Sequence, residues 1–266
     1  MRTIDQIRDT RIEKIVQESS NIRSFYFKDE RSLEAKAGQF VMVWLPGAGE
    51  FPMSLSLEKN GLASIGVKAM GKGSNKLYEA KKGTKIGLRG PYGNHFILNS
   101  KKILLVGGGT GMVPMLVAAK ALQKQSKKTM IIAAKTKDQL PFVGASRKIL
   151  GARNVLISTD DGSFGFKGYA HQLVEQFLSE NRVDQILSCG PEKMMYQILQ
   201  IANMKKIKVQ FSLERIMKCG IGICGSCTVG ESVLCKDGAI LDQNVLRSVE
   251  EFGKSQRDKA GKLVPI

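Results

Sequence analysis

The stretch Ile103-Leu104-Leu105-Val106-Gly107-Gly108-Gly109-Thr110-Gly111-Met112-Val113-Pro114 decides the fold of this chain. Four apolar residues running into glycines read as a buried strand that ends in a tight turn. A helix starting near Met112 follows, with Pro114 tolerated in its first turn. The uncharged run extends 17 residues, to Ala119, and includes four glycines and a proline. That is the lower edge of a membrane span and the wrong composition for one, so strand, turn and helix is the better reading. Downstream, strand-like runs (residues 130–134, 155–158 and 186–188) alternate with helical stretches (115–125, 145–150, 170–179 and 193–204). Alternation of this kind builds a parallel sheet from βαβ units.

Upstream the texture differs. Val41-Met42-Val43-Trp44-Leu45 is a buried-strand run closed by Pro46-Gly47. Residues 64–69 and 85–88 are two more, closed by Gly71-Lys72-Gly73 and Gly90-Pro91-Tyr92-Gly93. Short strands at this spacing predict an antiparallel β-barrel. After Phe211 come a cysteine- and glycine-rich segment and a polar tail. The expected architecture is therefore multi-domain β plus α/β: a barrel over residues 1–98, an α/β nucleotide domain over 99–210, a metal-cluster domain over 211–250 and a tail over 251–266.

Four of the five cysteines, Cys219, Cys224, Cys227 and Cys235, are spaced C-x4-C-x2-C-x7-C. The first three follow the plant-type spacing for a [2Fe-2S] cluster. Gly220, Gly222 and Gly225 between them supply the backbone freedom that a loop needs to wrap an inorganic core. Structural zinc is the main alternative, although it usually takes two C-x2-C-like pairs and only one is present. Disulfides do not suit the cytoplasmic setting expected for this chain.

In the α/β half, Gly107, Gly108, Gly109, Thr110 and Gly111 could let a pyrophosphate approach backbone N–H groups at a helix N-terminus. The run departs from G-x-G-x-x-G, and a ligand-free βα turn remains the alternative. Ser158-Thr159-Asp160-Asp161-Gly162 and Ser188-Cys189-Gly190-Pro191 place polar or small residues where further parallel strands stop. Ligands of open α/β sheets bind at that edge, which makes Asp160, Cys189, Gly190 and Pro191 candidates. Cys189 could equally be a small buried residue. In the barrel half the candidates are Phe51, Pro52, Met53, Ser54, Gly66, Val67, Lys68, Gly73 and Ser74. Ser74 reads as the N-cap of a helix over 75–80 whose N–H groups could hold phosphate, and Lys68 adds a charge.

The formal net charge is +17, from 41 Lys and Arg against 24 Asp and Glu. The cations come as scattered pairs such as Lys81-Lys82 and Lys205-Lys206, without a basic run or interleaved aromatics. Nucleic-acid binding is not expected, because binding modules concentrate charge on one face. An acidic partner or an anionic dinucleotide suits the charge better. The charged residues 1–14 lack the apolar core of a secretory signal, and a cytoplasmic protein with no membrane contact is expected. With only His95 and His171, a histidine-based hydrolytic site is not expected, and both read as surface or turn residues.

Taken in order, Pro52-Met53-Ser54, G-x-G-S at 71–74, G-P-x-G-N-x-F at 90–96, V-G-G-G-T-G at 106–111, T-D-D-G at 159–162, C-G-P at 189–191 and the cysteine pattern resemble the electron-transfer subunits of class B, NAD-dependent dihydroorotate dehydrogenase. These belong to the ferredoxin-reductase superfamily. The likeness spans about residues 11–250 and is most specific at SLERIMKCGIGICGSC, residues 212–227.

The resemblance implies an FAD-binding barrel, an NAD domain and a C-terminal [2Fe-2S] domain. By it, residues 51–54, 66–68 and 73–74 face FAD, and Gly107 to Gly111 with Cys189 to Pro191 face the nicotinamide dinucleotide. The four cysteines would ligate the cluster. It also implies a partner, an FMN-containing catalytic subunit that oxidises dihydroorotate in pyrimidine biosynthesis, in a heterotetramer of two copies of each chain. Electrons from that partner would cross the cluster singly, reach FAD and leave as hydride to NAD+, with no side chain acting as general acid or base.

Many members carry an arginine where this chain has Phe51, and a phenyl ring cannot replace a guanidinium on phosphate. Lys135 and Lys137 follow the second α/β strand with no acid before Asp138, which leaves NADP open beside NAD. Two rival readings remain. One is a flavin and iron–sulfur subunit of another complex, such as a sulfide dehydrogenase, a sulfhydrogenase or a ferredoxin:NADP oxidoreductase. The other is a zinc-stapled basic binding protein.

Overall fold

The structure is a computed structural model that describes residues 5–122 and 126–266. Its first sheet has six antiparallel strands: β1 (Arg8–Ser19), β2 (Ile22–Phe27), β3 (Phe40–Leu45), β4 (Gly49–Ser54), β5 (Ala63–Lys68) and β6 (Lys85–Tyr92), in the order β4-β3-β6-β1-β2-β5. A bridge between Leu55 and Ile65 brings the end strands together and closes the barrel. Phe25, Phe27, Val41, Val43, Ile65, Val67, Ile86 and Leu88 fill it at 0% exposure. Alternation along β5 sends Val67 into this core and leaves Gly66 and Lys68 on the outer face. Pro52 lies in β4, an end strand of the sheet, where the missing N–H is tolerated.

Two short helices decorate the barrel, α1 (Glu30–Leu33) and α2 (Lys72–Tyr78). The expected N-cap at Ser74 is displaced by three residues. Gly71 is the N-cap, in an extended conformation, and Ser74 sits one turn in with its hydroxyl accepting the Met70 and Gly71 N–H groups at 3.0 Å. Glycine has no side chain to cap with, so the serine reaches back from inside the helix.

The second sheet contains β7 (Lys102–Gly108), β8 (Lys127–Ala134), β9 (Val155–Thr159), β10 (Phe166–Lys167), β11 (Gln185–Cys189) and β12 (Lys208–Ser212), all parallel. On its faces lie α3 (Met112–Ala121), α4 (Val143–Leu150), α5 (Ala170–Glu180) and α6 (Glu192–Lys205). The strand order is β10-β9-β8-β7-β11-β12, so the direction of winding reverses beside β7. The uncharged run thus becomes β7, a glycine turn and α3; residues 103–106 are at most 1% exposed. The helix expected to start near Met112 does so and runs to Ala121; of the helical stretch read over 115–125, residues 123–125 lie outside the described residues. No helix among the described residues is long and apolar enough to cross a membrane.

The cysteine segment leaves β12 and returns to it. A hairpin, β13 (Thr228–Val229) with β14 (Ser232–Val233), leads into α7 (Leu234–Asp237), then β15 (Ile240–Asp242), which pairs antiparallel with β12 as the sheet's last strand. Asp242 caps α8 (Gln243–Leu246) through the Asn244 and Val245 N–H groups. The C-terminal residues, read as a polar tail, form a second hairpin, β16 (Ser255–Arg257) with β17 (Leu263–Pro265).

Candidate functional site

A cleft of about 210 Å3 opens between the barrel and the parallel sheet. Its walls bring together Pro52, Met53 and Ser54 from β4, Gly66 and Lys68 from β5, Ser74 from α2 and Thr110 from the glycine turn. Three predicted residues lie behind it: Val67 is in the barrel core, and Phe51 packs on the first turn of α2, 3.0 Å from where a Cβ on Gly73, the third, would stand. The barrel and nucleotide domain touch directly here. A Cβ on Gly66 would meet Val113 Cγ2 at 2.5 Å, so a glycine is what lets α3 seat against β5.

The cleft also contains residues that sequence reading passed over: Ser212, Leu213, Glu214, Arg215 and Met217. Ser212 ends β12, and the other four continue the chain past the carboxyl edge of the sheet. The strand-end rule that selected Asp160 and Cys189 would have selected them too. Glu214 is an exposed residue lining the cleft, with its carboxyl crowded by the surrounding protein. That crowding pushes its pKa above the usual carboxylate range, and the charge of Lys68 works in the opposite direction. An acid with a raised folded pKa favours folding below its ordinary value and loses that contribution as pH rises through the raised value. Glu214→Gln should therefore be slightly more stable than the parent at neutral pH, water at the exposed side chain keeping the effect small. The difference should vanish toward about pH 4 in urea midpoints, and a pH-independent difference would contradict this.

At the reversal of strand winding, Gly107 stands opposite Cys189, and Cys189 opposite Ser212. The glycines here have separate reasons. A Cβ on Gly107 would lie 2.3 Å from Met112 Sδ, one on Gly108 2.9 Å from Pro191 and one on Gly111 2.2 Å from the Cys189 carbonyl oxygen. Gly109, at φ +58, has nothing within 4 Å of its Cβ position and faces open space. The turn thus combines close packing of α3 and α6 with one backbone stretch free to meet a ligand. Gly111→Ala forces backbone from backbone and should destabilise the fold by about 1–3 kcal/mol in chemical denaturation.

Cys189 itself is 1% exposed, and burial raises its thiol well above the ordinary range, with the Glu214 charge adding to the effect. Asp160 is exposed after β9; partial burial raises its pKa, and Lys135 pulls it the other way. Lys135 and Lys137 are exposed just after β8.

The cysteine loop bends through left-handed glycines at Gly220, Gly222 and Gly225 (φ +71, +81 and +67). Those bends turn backbone N–H groups inward onto sulfur. Gly222 N–H donates to Cys235 Sγ at 3.1 Å, Ile223 and Cys224 N–H to Cys219 Sγ at 3.4 and 3.5 Å, and Cys235 N–H to Cys227 Sγ at 3.4 Å. Bonds to Ser226 hold the Cys224 thiol down at about 6. Burial opposes the Cys219 thiolate, but the N–H groups of Ile221, Cys224 and Ile223 outweigh it and lower its pKa. Cys235 is pushed up to about 12 by burial and by Cys227. The thiols interact as two neighbouring pairs, Cys219 with Cys224 and Cys227 with Cys235. Among the described residues, no group of three or more His, Cys, Asp or Glu side chains closes round a single ion. Four soft donors in two pairs, with N–H groups already directed at sulfur, fit an iron–sulfur core.

Long-range polar contacts join this loop to the other two parts. Arg89 of β6 forks onto Glu50 at 2.5 and 2.6 Å and donates to the Cys219 carbonyl at 3.0 Å. Asn94 exchanges two hydrogen bonds with the Ile240 backbone, at 2.8 and 2.9 Å, which accounts for the asparagine of the G-P-x-G-N-x-F motif. Arg215 pairs through both terminal nitrogens with Glu192, the first residue of α6.

Barrel, cleft, reversed parallel sheet and cysteine loop together define a flavin- and iron–sulfur-carrying reductase of the ferredoxin-reductase type. Residues 9–97 match the oxidoreductase FAD-binding domain, and residues 214–246 match the iron–sulfur cluster binding domain of dihydroorotate dehydrogenase B. The chain is 42% identical over 257 residues to a probable dihydroorotate dehydrogenase B (NAD+) electron transfer subunit of Methanocaldococcus jannaschii, covering 96% of each chain. A protein of the same name from Thermoplasma volcanium is 42% identical over 259 residues, 96% of this chain and 97% of that one. Among solved structures, an NADH-dependent reduced ferredoxin-NADP oxidoreductase superposes with a TM-score of 0.80 at 31% identity, over 88% of each chain. The ferredoxin reductase of carbazole 1,9a-dioxygenase, at 19% identity and a TM-score of 0.67 over 77% of this chain and 68% of that one, shares the fold. The chain belongs to the family of dihydroorotate dehydrogenase B electron-transfer subunits. Its cofactors are FAD and an iron–sulfur cluster.

Proposed function

We propose that this chain carries electrons from an FMN-containing subunit that oxidises dihydroorotate to NAD+, in a cytoplasmic heterotetramer of two copies of each chain. The observation that carries the reading is the cleft, whose walls come from the barrel, the nucleotide turn and the segment leading into the cysteine loop. When bound there, flavin supplies the exchange between hydride and single electrons that neither nicotinamide nor a [2Fe-2S] cluster can make alone.

The chain's own work is placement. Pro52, Met53, Ser54, Gly66, Lys68 and Ser74 would line the flavin, with Lys68 as the basic side chain that the barrel contributes to the cleft. Phe51, Val67 and Gly73 would support that wall from behind. Gly107, Gly108, Gly109, Thr110 and Gly111, with Asp160, Cys189, Gly190 and Pro191, would receive the dinucleotide along the sheet edge. Cys219, Cys224, Cys227 and Cys235 would hold [2Fe-2S], with the exposed Cys224 side toward the partner. The division into residues 1–98, 99–210 and 211–250, followed by the C-terminal segment, assigns one cofactor to each part.

Coexpression with the catalytic subunit tests this. Copurification and dihydroorotate-dependent reduction of NAD+ are expected, faster than reduction of NADP+. Copurification with a second iron–sulfur flavoprotein and no dihydroorotate oxidation would favour the other reading, a ferredoxin-linked oxidoreductase subunit, which the 0.80 superposition keeps in view.

A further inference from the structure

Arg89 and Glu50 lie outside the cleft, and no cofactor-contacting role described above uses them. They form a bidentate ion pair, 2.5 and 2.6 Å, with side chains only 12% and 20% exposed. Its cationic half leans on the cluster loop: Arg89 Nη2 donates to the Cys219 carbonyl at 3.0 Å and would stand 3.3 Å from a Cβ on Gly220. The loop's first bend, Gly220 at φ +71, is also seated on Met42 of β3, 3.0 Å from that Cβ position. The pair thus sits where the barrel wall meets the first cysteine ligand. Tyr92 brings Asp5 to the same corner, through a 2.9 Å bond to its carboxylate, so one cation faces two acids.

We infer that the Glu50–Arg89 pair sets the reduction potential of the cluster and fixes its loop on the flavin barrel, a positioning role in the same electron path. The inference rests on the reading that the four cysteines hold the cluster. Reduction adds one negative charge to the iron–sulfur core. A nearby cation favours that state and an anion opposes it, and protein screens most of this pair from water. As a pair the two charges nearly cancel. Removing either leaves the other unbalanced beside Cys219, so the two single substitutions act in opposite directions. A purely structural role gives no such sign rule, because loosening the loop has the same cause whichever partner is lost.

The experiment is an EPR-monitored redox titration of the full chain, purified anaerobically with its flavin and cluster. Glu50→Gln should raise the cluster potential and Arg89→Met should lower it. The double variant should return close to the parent, and Arg89→Lys, which keeps the charge, should shift less than Arg89→Met. Shifts of the same sign, or none beyond error, overturn the inference. If Arg89→Met fails to hold its cluster, Glu50→Gln decides alone: an upward shift supports the proposal, and no shift or a downward one overturns it. A parent protein without iron and sulfide overturns the cluster reading and this inference together. A loaded parent whose variants shift the wrong way overturns this inference only.

Discussion

Arg215→Met is expected to destabilise the chain by about 3–5 kcal/mol, the largest single loss anticipated outside the cysteines. Arg215 and Glu192 have side chains only 2% and 9% exposed, so neither charge can fall back on water when its partner goes. Glu192 also accepts the Gly253 N–H at 2.9 Å, and Arg215 donates to the Glu214 carbonyl at 2.9 Å. One guanidinium therefore ties the start of α6, beside Gly190-Pro191, to the cleft wall. Removing the arginine leaves a buried carboxylate without a counter-charge. Removing both, as in Arg215→Met with Glu192→Met, should recover much of the loss, because an ion pair this dry gains little over apolar packing. Denaturant midpoints of the two singles and the double decide it. A single variant within about 1 kcal/mol of the parent would show that water reaches the pair.

Cys227→Ser should abolish the relay and spare the flavin. Cys227 is 1% exposed, and its sulfur accepts the Cys235 N–H at 3.4 Å, so it lies on the inner side of the loop. A serine hydroxyl stays protonated at neutral pH and is a hard donor, a poor substitute for thiolate on iron. Iron and sulfide content should fall, and dihydroorotate-dependent NAD+ reduction should drop by more than about 100-fold. NADH oxidation by a small dye that takes electrons from flavin directly should stay within about twofold, since the cleft's barrel wall and glycine turn are untouched. Equal loss of both activities would mean that the cysteine loop supports the flavin site as well as the cluster.

The parts of this site that were legible in the sequence are those written in local pattern. The apolar run into Gly107, the cysteine spacing and the strand runs in β3, β5 and β6 each state their structure within a dozen residues. Contacts between distant residues carry no such signature. Arg89 meets Cys219 across 130 positions and Asn94 meets Ile240 across 146, and nothing near either residue announces its partner. Glu214 and Arg215 were missed for a different reason. They sit inside the segment whose cysteines drew attention, although their position after a strand end was itself a signal. Ser74 shows a third kind of failure: the residue type was right for a cap, but a glycine with nothing to cap with moved the helix start forward. Phe51, which stands where a phosphate-binding arginine is expected, packs beneath Gly73, and its neighbours Pro52, Met53 and Ser54 line the cleft.

The most direct measurement is an anaerobic titration of the purified chain with NADH, followed by visible absorbance and EPR. Two electrons per chain should bleach the flavin and one more should reduce the cluster, with NADPH much less effective. A protein that carries no flavin or iron–sulfur absorbance, or whose cluster stays oxidised while the flavin bleaches, would contradict a relay running from nicotinamide through flavin to the four cysteines.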